Sequence, residues 1–69
     1  MTLLHEQLTA GRERLVAAGI EPGAAAIDVD QFVRTILGWD RARVLTARTE
    51  PSPEGLEPRF SEWILRRTH

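Results

Sequence analysis

The stretch Asp28-Val29-Asp30-Gln31-Phe32-Val33-Arg34-Thr35-Ile36-Leu37-Gly38-Trp39-Asp40-Arg41-Ala42-Arg43-Val44-Leu45 constrains this chain more than any other. Val29, Phe32, Val33, Ile36 and Leu37 fall at i, i+3, i+4, i+7 and i+8, the fullest apolar stripe in the sequence and the mark of a helix with one buried face. Gly38 stops that helix, and Asp40 is placed to cap a new one from Arg41 to about Ala47, with Val44 and Leu45 facing inward. The segment holds no set of side chains that could carry out a reaction. A helical module that positions something else fits it better than a self-sufficient enzyme.

The flanking segments extend the pattern. Thr2 can cap a first helix whose apolar positions are Leu4, Leu8, Leu15 and Val16; Gly11 interrupts the stripe, and Gly19 ends it with Ile20 as the apolar contact beyond the stop. Gly11 costs about 1 kcal/mol relative to alanine inside a helix, and either permits a close helix crossing or marks a weak point. Glu21-Pro22-Gly23 is punctuation, with Pro22 in the linker or in the first turn of the second helix. Glu50 to Gly55 reads as a loop leading to a Ser52 cap. A short turn near 53–56 then precedes a last helix starting around Glu57 or Pro58, with Leu56, Phe60, Trp63 and Ile64 on one face. The expected fold is all-α, four or five short helices in one domain over residues 1–69, with the second helix central. Arg66-Arg67-Thr68-His69 contains no glycine, asparagine or proline to close the last helix, which fits a chain cut from a longer protein at a linker and equally a helix fraying at a natural terminus.

Composition narrows the function classes. A domain of about 60 residues buries only about 60% of its unfolded surface, so every apolar stripe is needed for the core. The net charge of −1 gives no global attraction to nucleic acid or to an anionic membrane. No cysteine is present, so thiolate metal sites and disulfides are excluded. No run approaches the roughly 18 apolar residues of a membrane span, and the N-terminus lacks a signal-peptide pattern; the expected location is cytoplasmic. His5 and His69 lie at opposite ends with no metal-ligand spacing. Asp28 and Asp30 point about 200° apart on a helix and cannot serve one substrate as an acid–base pair. Catalytic, cofactor-binding and metal sites are therefore expected to be absent from this chain.

All nine basic residues are arginine. Residues 21–40 hold Glu21, Asp28, Asp30 and Asp40 against Arg34, whereas 41–50 hold Arg41, Arg43 and Arg48 against Glu50. That split predicts pairing between neighbouring helices, or a partner site. Trp63 is expected in the core. Trp39 fits a lid over the end of the second helix better than an exposed docking anchor, a role tryptophan also fills.

The residues from Ala26 to Leu45, with Asp28, Asp30, Phe32, Val33, Leu37, Gly38 and Arg41 in the matching places, resemble the N-terminal helical domain of the HemK-type release-factor glutamine methyltransferases. Val29 and Gln31 depart from the commoner alanine and leucine. Leu8 through Ala18-Gly19-Ile20 is similar to the family's first helix, and Phe60 with Ile64-Leu65-Arg66-Arg67 to the helix that precedes an Arg-x-Pro-x-x-Tyr-Ile segment in full-length members. The resemblance spans nearly the whole chain as a helical pattern. It implies a parent enzyme that uses S-adenosylmethionine to methylate the glutamine of the Gly-Gly-Gln motif of bacterial class I release factors. The catalytic half of such enzymes carries a glycine-rich cofactor loop and an Asn-Pro-Pro-Tyr motif; this chain has neither, and contains no asparagine. What the resemblance leaves for the chain is docking of a release factor alongside its own catalytic domain, with Trp39, Arg41, Arg43 and Arg48 as candidate partner-binding residues. The rival reading is a free-standing helical interaction module or a helix-turn-helix-like DNA-binding module, with Gly38 in the turn and Arg41, Arg43 and Arg48 on phosphates. Against it stand the short third helix and the mildly acidic pI of 6.1.

Overall fold

The structure, a computed structural model describing residues 1–69, is all-α: α1 (Leu4–Ala17), α2 (Pro22–Leu37), α3 (Arg41–Thr46) and α4 (Leu56–Arg67). α2 packs against each of the other three helices, and α1 also meets α4. The second helix is therefore the centre expected from its stripe. Its fully shielded residues are Ala25, Val29 and Val33, while Phe32, Ile36 and Leu37 are only partly buried against the same core. Leu4 and Leu15 of α1, Val44 and Ala47 from the α3 region, and Leu56, Phe60 and Ile64 of α4 complete it.

Two helix ends are closed by the same device. The Ile20 N–H donates to Leu15 O at 3.0 Å and the Gly19 N–H to Val16 O at 3.0 Å, the paired bonds of a glycine-terminated helix. At the end of α2, Gly38 takes φ 68° and the Trp39 N–H donates to Arg34 O at 3.1 Å. Ile20 and Trp39 then turn back onto the core. Trp39 is the lid that its position after the glycine predicts.

Helix starts follow the sequence less closely. Asp40 caps α3, accepting from the Arg43 N–H at 2.8 Å. Thr2 does not cap α1: Leu3 holds the cap position without a side-chain bond to the helix. The Leu4 and His5 N–H groups donate instead to Glu50 O and Arg48 O, each at 3.0 Å, and the Ser52 N–H returns a bond to Thr2 O at 2.9 Å. The loop before α4 thus supplies the acceptors that the first turn of α1 needs. Ser52 likewise caps nothing; its hydroxyl donates to Oε1 of the buried Gln7. Gly55, at φ 83°, precedes α4, which begins at Leu56. Pro58 is consequently the third helical residue, where an N–H has no intrahelical partner to lose, so it does not kink the helix.

Pro22 is the first residue of α2, and Glu21 caps that helix, with its carboxylate accepting from the Ala24 N–H at 3.0 Å. The backbone N–H groups of Gly23 and then Ala24 hold the Glu21 carboxyl below the usual glutamate range, against a small opposing effect of desolvation. A carboxyl depressed in the folded state stabilises above its unfolded pKa, and this stabilisation disappears as pH falls through the lower, folded value. Thermal unfolding followed by circular dichroism at neutral pH and at about pH 3 should show the wild type losing more of its Tm than Glu21→Gln. Equal losses would show that the cap carries no charge-dependent contribution.

Three expectations about side chains need correction. Val16 and Leu45 are exposed, at 41% and 55%, because they sit just outside the sectors covered by neighbouring helices; Val44 and Ala47 are what α3 buries. Trp63 is half-buried, meeting Phe32 edge-on with ring centroids 5.5 Å apart at the α2–α4 seam. The charge split is not resolved by pairing 21–40 with 41–50. Arg67 of α4 donates to Asp28 at 2.8 Å, Arg34 pairs with Asp30 at 3.6 Å, and Arg66 with Glu62 at 2.6 Å. Arg41, Arg43 and Arg48 take part in no ion pair.

Candidate protein-docking surface

The four residues singled out in the sequence do not form one cluster. Trp39 and Arg43 come together: they are four apart across the start of α3, and the guanidinium lies 4.7 Å from the ring centroid. Such a stack contributes about 0.5–1 kcal/mol at an exposed site, and it holds a planar cation and an indole as one surface feature. Trp39 also borders a shallow polar hollow with Gln31, Arg34 and Thr35.

Arg48 lies elsewhere. With Leu45 it borders an open groove of about 320 Å³ between α1, α2 and α3, whose lining includes His5, Leu8, Thr9 and Arg12. The groove's position follows from the loop pairing described above, because the His5 N–H to Arg48 O bond fixes the main chain of Arg48 beside the start of α1. Arg41, exposed, is four residues before Leu45 and so shares its side of α3. Arg43 falls on the other side of the buried Val44–Ala47 face.

His5, Thr9 and Arg12 were not singled out from the sequence. Their spacing of four and three residues puts a polar, partly basic column on α1 beside Leu8, a signal visible in the chain. Opposite them stands Leu45, which the apolar pattern places in the core and the structure leaves exposed.

Asp28 and Asp30 engage different arginines, Arg67 and Arg34. No group of three or more His, Cys, Asp or Glu side chains could hold a metal ion. No helix is long and apolar enough to cross a membrane. As an insertion element, α3 has only six residues, less than two turns at 3.6 residues per turn. What the surface offers is apolar contact flanked by arginines, a chemistry suited to another protein.

The family model described as the PrmC N-terminal domain matches residues 6–69. No curated protein and no solved structure matches the chain. The match takes in all four helices except the first two residues of α1, along with the glycine-stopped α2 and its successor, and the chain belongs to the PrmC N-terminal domain family, the N-terminal part of the HemK-type methyltransferases that its sequence resembles.

Proposed function

We propose that this domain is the substrate-docking part of an S-adenosylmethionine-dependent protein-glutamine methyltransferase, and that the protein it docks is a bacterial class I peptide chain release factor, presented so that its Gly-Gly-Gln glutamine reaches the catalytic domain. The family match over residues 6–69 carries the proposal. The surface is compatible with it: arginines free of carboxylate partners and a Trp39–Arg43 stack provide planar and cationic contacts of the kind enriched at protein interfaces. The chain itself is assigned no catalytic or cofactor-binding residue. The cofactor and the chemistry belong to the parent enzyme, which would act in the cytoplasm, where translation terminates.

Calorimetric titration of the 69-residue chain with a class I release factor tests this, with duplex DNA as the control titrant. The expected result is saturable binding to the release factor, weakened about tenfold by Arg41→Ala or Arg43→Ala alone and about a hundredfold when both are replaced, since hydrogen bonds from charged groups contribute about 1.5–3 kcal/mol each. Salt-sensitive binding to DNA in place of the release factor would overturn the proposal in favour of a nucleic-acid module. Absence of binding to either would remove the docking role from this domain.

A further inference from the structure

The groove between α1, α2 and α3 continues toward the α1–α2 turn. A second hollow of about 540 Å³, bordered by Glu13, Val16, Ala17 and Pro22, adjoins the first and shares Thr9, Arg12 and Ala26 with it. Two of the large exposed apolar side chains of the molecule, Leu45 and Val16, lie along this combined groove. Leu8, Val29 and Val44 also line it. The groove thus joins a concave surface to exposed apolar side chains at both of its ends, the shape and lining that a ligand segment fills.

Charge decides what fits there. Arg48 is in no ion pair, and the only side-chain partner of Arg12 is the Thr9 hydroxyl at 3.1 Å, which leaves most of its donors free. Of the two carboxylates beside the groove, Asp30 is paired with Arg34 at 3.6 Å, and Glu13 lies at the far, turn-proximal end. The α3 end is therefore basic around an apolar floor. A second copy seated by two-fold symmetry on the same patch would set these arginines against themselves. A nucleic-acid backbone would match the arginines but leave Leu45 and Val16 without apolar contact.

We propose that this groove binds an acidic amphipathic segment of a partner protein, with apolar side chains at helical spacing lying along Leu8 and Leu45 and carboxylates meeting Arg12 and Arg48. The proposal deepens the docking role above and rests on it only for the existence of a protein partner. The main-chain bond of Arg48 to α1 fixes the backbone from which its side chain reaches the groove.

The test is nuclear magnetic resonance titration of the isotope-labelled chain with a short helical peptide carrying leucines on one face and glutamates on both flanks, and with the same peptide carrying lysines instead. The expected result is saturable shifts at His5, Leu8, Thr9, Leu45 and Arg48 with the glutamate peptide, weaker binding at high salt, and no binding of the lysine peptide. Leu45→Glu and Arg48→Glu, both at exposed positions and checked for the wild-type circular dichroism spectrum, should each weaken binding at least about tenfold. Leu65→Ser, on an exposed part of α4 that does not border the groove, should leave it unchanged. Equal binding of the two peptides, shifts confined to another face, or none up to millimolar peptide would overturn the proposal, as would a DNA duplex that shifts the same groove residues. Titrating the same variants with a release factor separates the two readings. A release factor that binds wild type and Leu45→Glu equally removes the groove but keeps the release-factor reading. A groove that takes the glutamate peptide while the release factor stays unbound does the reverse.

Discussion

Replacing Phe60 with alanine is expected to remove about 3–5 kcal/mol of stability, about a third or more of all that a domain of this length has. The ring is 3% exposed and sits where α4 meets α1. Truncating a buried phenylalanine costs about 3–5 kcal/mol, through lost transfer free energy and the cavity left behind. Against this, domains of this length have about 3–10 kcal/mol in total, from roughly 0.05–0.15 kcal/mol per residue. Only 12 of the 69 residues are buried, so the site has few neighbours able to move in and fill the space. Urea unfolding followed by circular dichroism checks the value. A midpoint loss equivalent to less than about 1 kcal/mol would mean that the core collapses around the gap and that Phe60 is not central to it.

The reasons some features were legible in the chain and others were not lie in how far apart their causes are. Gly19 with Ile20, Gly38 with Trp39, and Asp40 with the Arg43 N–H are contacts within five residues, so the local sequence specifies them completely. The start of α1 could not be read the same way. Its first N–H groups are satisfied by carbonyls at positions 48 and 50, and that removes the need for the Thr2 cap that local rules favour. The Asp28–Arg67 pair spans 39 residues and draws on a charge pattern that looked destined for the 41–50 segment. Leu45 was misplaced because a six-residue helix shows less than two turns of periodicity, and α3 packs on α2 without a second helix to cover its other side. The candidate site divides likewise. The Trp39–Arg43 stack is a spacing of four, while the groove needs three helices placed against one another.

The close α1–α4 crossing yields the second large effect, and its sign separates a structural glycine from a tolerated one. Gly11→Ala at an exposed helical position would stabilise by about 1 kcal/mol through helix propensity. Here a Cβ would stand 2.6 Å from Phe60 Cζ and 2.8 Å from Cε2, with Ile64 Cδ1 at 3.4 Å. The ring is the movable partner, but it is enclosed by the core, so the overlap forces α1 and α4 apart. Overpacking of this kind costs about 1–3 kcal/mol, which outweighs the propensity gain. Gly11→Ala should therefore lower stability, and Gly11→Val should lower it by about 3 kcal/mol, since its branched side chain meets the same ring and fits a helix less well. The Phe60→Leu background shortens the opposing side chain. In that background Gly11→Ala should cost less than in the wild type, giving a favourable coupling in the double-mutant cycle. Urea midpoints of the four proteins measure it. Stabilisation by Gly11→Ala alone would show that the helices have room at this crossing and that Gly11 was the weak point in α1 rather than its contact with α4.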